Sequence, residues 1–178
     1  RTTFLAGETP ILPDPAGEFL GIVFNVKSDP HVGKICLVRV LRGTLAASDL
    51  IGTGRGEKIG GLFHPVGGKN RITTDSAFAG ELIAISKVEH CAWGQSFART
   101  GVEPVAVGRP KPSEPMVALA VQPKSRNDEQ KIGPALAKLA AEDATFLVHH
   151  DPNTHELVIQ GMSDLHLQVM EHRLKRRF

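Results

Sequence analysis

The chain of 178 residues contains no tyrosine, a single tryptophan (Trp93) and eight phenylalanines. A surface that stacks unpaired bases needs several aromatic faces, so the shortage excludes an aromatic platform and directs any nucleic-acid contact to phosphates. Cysteine is equally scarce. Cys36 and Cys91 stand 55 residues apart without a local motif, which excludes a disulfide-stapled secreted scaffold and predicts two free, buried thiols in a reducing compartment. No apolar run approaches the roughly 20 residues of a membrane-spanning helix. The formal charge is only +2, which with 41% hydrophobic residues places the chain among folded rather than disordered proteins. There is no initiator methionine and no signal-peptide stretch near Arg1, so the sequence reads as a piece of a longer protein.

What is present is organised by proline and glycine. Pro10, Pro13 and Pro15 mark residues 1–17 as an extended lead-in linker. Pro110, Pro112 and Pro115 mark 110–115 as a second linker. Between them, over 18–109, apolar residues alternate or run for short stretches: Phe19 to Lys27, Lys34 to Leu41, Lys58 to Pro65, Arg71 to Thr74, Glu81 to Val88 and Gln95 to Arg99. Short strands at this spacing, with no helical pattern and many glycines for bends, predict a closed antiparallel β-barrel.

Beyond Pro115 the period changes. Met116 to Val121 reads as a strand, and Ser125 to Asp128 has the form of a capping box. Ile132, Leu136 and Leu139 share one helical face over about 128–143, with Pro134 expected to kink the helix or to mark its start. Strands are expected at Thr145 to His150 and Glu156 to Gln160. A second helix follows from Asp164 to Phe178, with Leu167, Met170, Leu174 and Phe178 as its buried stripe. The order strand, helix, strand, strand, helix over 116–178 is that of a ferredoxin-like α+β domain lacking its last strand, which residues beyond Phe178 would supply.

Chemistry-bearing motifs are sparse. The glycine-rich Ile51 to Gly61 lacks the Walker spacing, because no hydroxyl follows Lys58. His149 and His150 are adjacent on a strand and point to opposite faces, and His166 and His172 do not share a helix face, so a metal centre is disfavoured. The carboxylates Asp128-Glu129 and Glu142-Asp143 read as helix-end residues that favour the dipole or solvate the terminus. No catalytic arrangement emerges. Arg173, Lys175, Arg176 and Arg177 suit a helix C-terminus, or alternatively a phosphate surface. Charge is split, +3 up to Pro112 from 13 basic and 10 acidic residues, and −1 beyond it from 8 and 9.

Three stretches carry a resemblance. Asp29 to Leu45 (DPHVGKICLVRVLRGTL) is similar to the opening strands of the second-domain barrel of elongation factor G and related translational GTPases. Glu142 to Phe146 (EDATF) resembles that family's Glu-Asp-Pro-Thr-Phe, with Ala144 in place of proline. Gly161 to Gln168 (GMSDLHLQ), followed by HRLKRRF, resembles Gly-Met-Gly-Glu-Leu-His-Leu-Glu and the basic helix after it, with Ser163, Asp164 and Gln168 as departures. Ser163 can still cap the helix and Asp164 still places a carboxylate in its first turn.

The resemblance implies a translation-factor barrel and third domain from a cytoplasmic, ribosome-binding protein. In the family an upstream GTPase domain holds GTP and magnesium, so this fragment would carry no cofactor, no metal and no catalytic residue. Its expected partners are small-subunit ribosomal RNA and protein and the upstream GTPase domain of the same chain, with no membrane and no oligomer. Gly161, Ser163, Asp164 and His166 would lie near the interface that changes on hydrolysis. Arg39, Arg42, Lys69, Arg71, Arg173, Lys175, Arg176 and Arg177 would be the candidates for RNA contact. The alternative reading is a stand-alone RNA- or ligand-binding β-barrel module.

Overall fold

A computed structural model describes all residues except 1–4, 7–8, 30, 53–54, 67–70, 90, 109–110 and 124. The chain divides into two compact units, Arg1–Arg109 and Pro110–Phe178.

The first unit is an antiparallel barrel. A short hairpin of β1 (Leu5–Ala6) and β2 (Thr9–Pro10) precedes the long pair β3 (Leu20–Asp29) and β4 (Gly33–Arg42), which is followed by β5 (Thr44–Ala46) and β6 (Leu50–Ile51). Then come β7 (Glu57–Lys58), β8 (Gly61–Pro65), β9 (Arg71–Thr73), β10 (Ser76–Phe78), β11 (Leu82–Ser86) and β12 (Ser96–Ala98). Six strands pair in the order β12-β3-β4-β11-β8-β9. The ring closes through corners. β10 continues from β9 and pairs with β5; β6 continues from β5 and meets the end of β12 through the Ile51–Arg99 bridge, flanked by Thr100 N–H to Leu50 C=O at 2.9 Å and Gly52 N–H to Ala98 C=O at 3.0 Å.

Strand alternation sends Cys36, Val38 and Val40 of β4 inward, in register with Val26, Val23 and Gly21 of β3. With Leu45, Ile51, Leu62, Ile83, Ile85 and Phe97 they fill the barrel, each such side chain contributing about 1.5–3 kcal/mol through burial. Residues 11–14 of the proline-rich lead-in lie against the barrel: Ile11 packs with Leu20, Ile22, Leu41 and Val107 on its outer face, and the Asp14 carbonyl accepts from Gly43 N–H at 2.7 Å.

The second unit runs β13 (Val117–Val121), α1 (Arg126–Glu142), β14 (Leu147–His150), β15 (Leu157–Gly161) and α2 (Asp164–Arg177), with an antiparallel sheet in the order β13-β15-β14. Leu136, Leu139, Phe146, Ile159, Leu167 and Met170 form its core. Ser125 caps α1 as the capping box requires, accepting from Asp128 N–H at 3.3 Å.

Two expectations are corrected. α1 does not start at Pro134; it is helical from Arg126 with Pro134 inside it, and the Gln130 carbonyl that Pro134 leaves without its intrahelical donor belongs to an exposed residue, where water can satisfy it. Phe178 is not part of the buried stripe. As the cap beyond α2 it is 56% exposed, and its ring lies 5.5 Å from Lys138 Nζ.

Candidate functional site

Two of the motif stretches meet where α1 ends and α2 begins and ends. α1 stops because Asp143 turns extended, at φ −137° and ψ 109°, and its last turn contains no basic residue. Arg177 of α2 supplies the missing cation. Its Nη1 donates to both oxygens of Glu142, at 2.9 and 2.7 Å, and the Glu142 side chain is only 10% exposed. A guanidinium on a nearly buried carboxylate is a charge-assisted contact that fixes position as well as energy.

Asp143 is held on both oxygens. Oδ1 accepts from Thr145 N–H at 2.9 Å and from Thr145 Oγ1 at 2.6 Å, while Oδ2 faces His166 Nε2 at 3.3 Å. Burial pushes the Asp143 carboxyl up, but the Thr145 donors and His166 outweigh it and hold the group below the usual carboxylate value of 3.8. On the other side of the imidazole, His166 Nδ1 accepts from Met162 N–H at 3.1 Å. A neutral ring that accepts at Nδ1 carries its proton on Nε2, so His166 donates toward Asp143. The ring also stands edge-on to Phe146, with centroids 6.2 Å apart.

The sequence around His166 dictates this placement. Ser163 is extended, caps α2 and accepts from His166 N–H at 3.2 Å, which sets the first turn. Gly161 is needed for space rather than for a left-handed backbone: a Cβ there would fall 2.7 Å from Leu167 Cδ2 and 3.1 Å from His166 Nδ1. Asp164 is exposed in the first turn, where a carboxylate complements the helix dipole. Beside it, Leu119, Val121, Leu136, Phe146, Leu167 and Met170 contribute to the apolar wall of a cavity of about 510 Å³, with Asp164, Gln168 and Glu171 as polar lining.

Of the four residues expected at a switch interface, Gly161, Ser163 and His166 thus share one network, and Asp164 lies beside it. Glu142 and Asp143 belong to the same network, although their sequence positions suggested solvated helix-end charges. The EDATF motif was the available signal; the partners, 23 and 35 residues away, were not visible from spacing.

The basic candidates are distributed differently. Arg177 is engaged by Glu142, Lys175 by Glu171, and Arg173 Nη1 sits 3.7 Å from Met170 Sδ, while Arg176 is exposed. In the barrel, Arg42 donates to the Glu18 carbonyl at 3.1 Å, and Arg71 pairs with Asp29 at 2.7 Å while lying 5.3 Å from the Phe63 ring centroid. Arg39 is half-buried on β4, opposite Leu82 and Ile22. Lys69 lies outside the described residues. Sequence reasoning missed Arg99, which binds Asp49 at 2.9 Å and the Thr44 carbonyl at 2.6 Å near the barrel's closing bridge.

Comparison with known proteins matches both units. The family model for elongation factor G domain 2 covers residues 18–100, and that for elongation factor G, domain III covers 112–178. The chain belongs to the elongation factor G family. Elongation factor G of Dinoroseobacter shibae is 34% identical over 163 residues, covering 90% of this chain and 23% of that protein. The Neorickettsia sennetsu elongation factor G is 33% identical over 176 residues, covering 96% and 25%. A crystal structure of a Thermus thermophilus protein shares the fold with a TM-score of 0.76 and 31% identity, over 89% of this chain and 24% of that one. The chain therefore spans about a quarter of the length of these elongation factor G relatives.

Proposed function

We propose that this chain is the noncatalytic, ribosome-contacting and signal-relaying part of a cytoplasmic translational GTPase of the elongation factor G type, working as a monomer. The observation that carries the reading is the closed corner of the second unit, where Glu142–Arg177 and Asp143–His166 join EDATF to GMSDLHLQ and the basic helix. Two short polar contacts between the ends of two helices over a shared apolar core make α1 and α2 move together. A displacement imposed on one helix by a neighbouring domain is passed to the other, which is what a relay of nucleotide state requires.

GTP and magnesium belong, in this reading, to a GTPase domain outside the chain. The residues present do not fit them. Within the glycine-rich region Leu50 and Ile51 pair with Lys58 and Glu57 as β6 and β7, no hydroxyl follows Lys58 in the sequence, and no three histidine, cysteine or carboxylate groups converge on a metal position among the described residues. The barrel and the exposed Arg176 are assigned to ribosomal RNA and protein of the small subunit, through phosphates rather than bases.

The test is binding of the 178-residue chain to purified small ribosomal subunits across a salt series. Affinity that falls linearly with salt on a log–log plot, and binding abolished by competing small-subunit RNA, support the reading. Absence of binding at low salt favours a stand-alone ligand-binding barrel instead. Micromolar GTP binding by the chain itself would contradict the assignment of nucleotide chemistry to another domain.

A further inference from the structure

The two cysteines, scarce and 55 residues apart, meet in the barrel core. Cys36 lies on the inward face of β4, fully buried, between Val26 of β3 and Ile85 of β11. Cys91 lies in the segment between β11 and β12 and is 5% exposed. The Cys36 thiol donates to the Cys91 carbonyl at 3.8 Å.

The segment carrying Cys91 is fastened to β4 and β3 on both sides of the cysteine. Lys87 N–H donates to the Lys34 carbonyl at 3.2 Å, Lys34 Nζ donates to the Glu89 carbonyl, and Gly94 N–H donates to the Val23 carbonyl at 2.7 Å. Neither thiol has a role in the corner of the second unit.

We propose that Cys36 and Cys91 form a reversible oxidation site, at which a peroxide-class oxidant converts the thiol pair into an intramolecular disulfide stapling β4 to the β11–β12 segment. The chemical environment suits the step. The two thiols interact directly, which holds Cys36 below the ordinary thiol range and pushes Cys91 up; the Lys34 ammonium favours the thiolate at either sulfur, against burial and the Glu57 carboxylate at both and the Glu89 carboxylate at Cys36. In the proposed step Cys36 is the attacking sulfur and Cys91 the resolving one.

The balance is complete with hydrogen peroxide as the co-reactant. The Cys36 sulfur attacks one peroxide oxygen; an S–O bond forms, the O–O bond breaks, and the departing hydroxide takes up a proton to leave as water. The Cys91 sulfur then attacks the sulfenic sulfur; the S–S bond forms, the S–O bond breaks, and a second water leaves with the thiol proton. Two electrons pass from the sulfurs to the peroxide, giving one disulfide and two waters from two thiols and one peroxide. A thiol reductant reverses the bond by exchange.

The experiment treats the folded 178-residue chain with a small excess of hydrogen peroxide and then counts thiols after denaturation, with intact-mass and peptide analysis. The proposal expects both thiols to disappear together, the mass to fall by two hydrogens, and a cross-linked peptide pair containing Cys36 and Cys91. The Trp93-reported melting temperature should rise by several degrees, because a long loop is closed in the unfolded chain, and dithiothreitol should restore the original value. In Cys91→Ser, Cys36 should stop at the sulfenic acid, read as the gain of one oxygen in intact mass. Should that variant fail to fold, the wild-type mass and peptide data decide alone. Retention of both thiols in the folded protein, sulfinic acid without a cross-link, or disulfides only between molecules would each overturn the proposal.

Discussion

Asp143 Oδ2 and His166 Nε2 stand 3.3 Å apart, and that contact ties the C-terminal end of α1 to the first turn of α2. The histidine is fixed from the opposite side by the Met162 N–H and the aspartate by Thr145, so neither side chain can turn away without leaving a polar group unpaired. The corner is therefore rigid by hydrogen bonding rather than by apolar packing alone.

A pH dependence follows from Asp143. Its folded-state pKa lies below the unfolded value, so the unfolded chain takes up the proton first as pH falls. The stabilisation it supplies is fully present above the unfolded value of 3.8 and is lost as pH falls through the folded one. Asp143→Asn should cost about 1 kcal/mol at neutral pH and flatten the acid limb of the stability profile relative to wild type. Both helices belong to the second unit and Trp93 to the first, so helical circular dichroism during urea unfolding reads the effect separately from tryptophan fluorescence. An unchanged acid limb in the variant would count against the role of Asp143.

Arg177 and Arg176 are neighbours in sequence with different surroundings. Arg177→Met removes the guanidinium whose Nη1 donates to both oxygens of the 10%-exposed Glu142 carboxylate and should destabilise the second unit by about 2 kcal/mol. Arg176→Ala touches only an exposed side chain and should stay within about 0.5 kcal/mol of wild type, while weakening binding to ribosomal RNA and reducing its salt slope. Equal stability of the two variants in urea would show that the Glu142 contact is not maintained in solution.

Two glycines with different reasons for being glycine can be separated. At Gly161 an added methyl meets the side chains of Leu167 and His166, which can shift at some cost; Gly161→Ala should lose about 1–3 kcal/mol in the helical transition. At Gly43 the φ of +74° is left-handed, and an added Cβ falls 2.6 Å from the backbone of both Gly17 and Phe19. Backbone cannot step aside as a side chain can. Gly43→Ala should cost more than Gly161→Ala and should appear in the Trp93 transition, where the barrel is read.

The strands that sequence reasoning located are those long enough to alternate: Val23, Val26, Cys36, Val38 and Val40 face inward on β3 and β4, as period-two burial demands. Among the pieces it missed, β1 and β2 lie in the proline-rich lead-in, and β5, β6 and β10, with two or three residues each, close the barrel; pieces this short show no period of their own, and the equally short β9 and β12 were found only within the longer windows Arg71 to Thr74 and Gln95 to Arg99. At the candidate site, Gly161, Ser163 and His166 were legible because the GMSDLHLQ stretch carries them together. Glu142 and Arg177 were not, since a pairing across 35 residues depends on where two helices end in space. Charge near a helix terminus reads the same in sequence whether it is solvated or clamped.

Gly133 has a third reason for being glycine. It lies inside α1, immediately before Pro134, without a left-handed φ, and beyond its chain neighbours an added Cβ would meet no atom within 4 Å. The constraint comes from Pro134 itself, whose Cδ crowds the Cβ of a preceding residue held in the helical region. At an ordinary helix position alanine is better than glycine by about 0.5–1 kcal/mol, mainly through the freedom glycine gives the unfolded chain. Here the clash with the proline ring works against that gain, so Gly133→Ala should fail to stabilise the second unit in the helical urea transition, with Trp93 fluorescence unmoved. A gain of about 0.5–1 kcal/mol would show that the turn before Pro134 takes a Cβ without strain, and that proline crowding does not select glycine there.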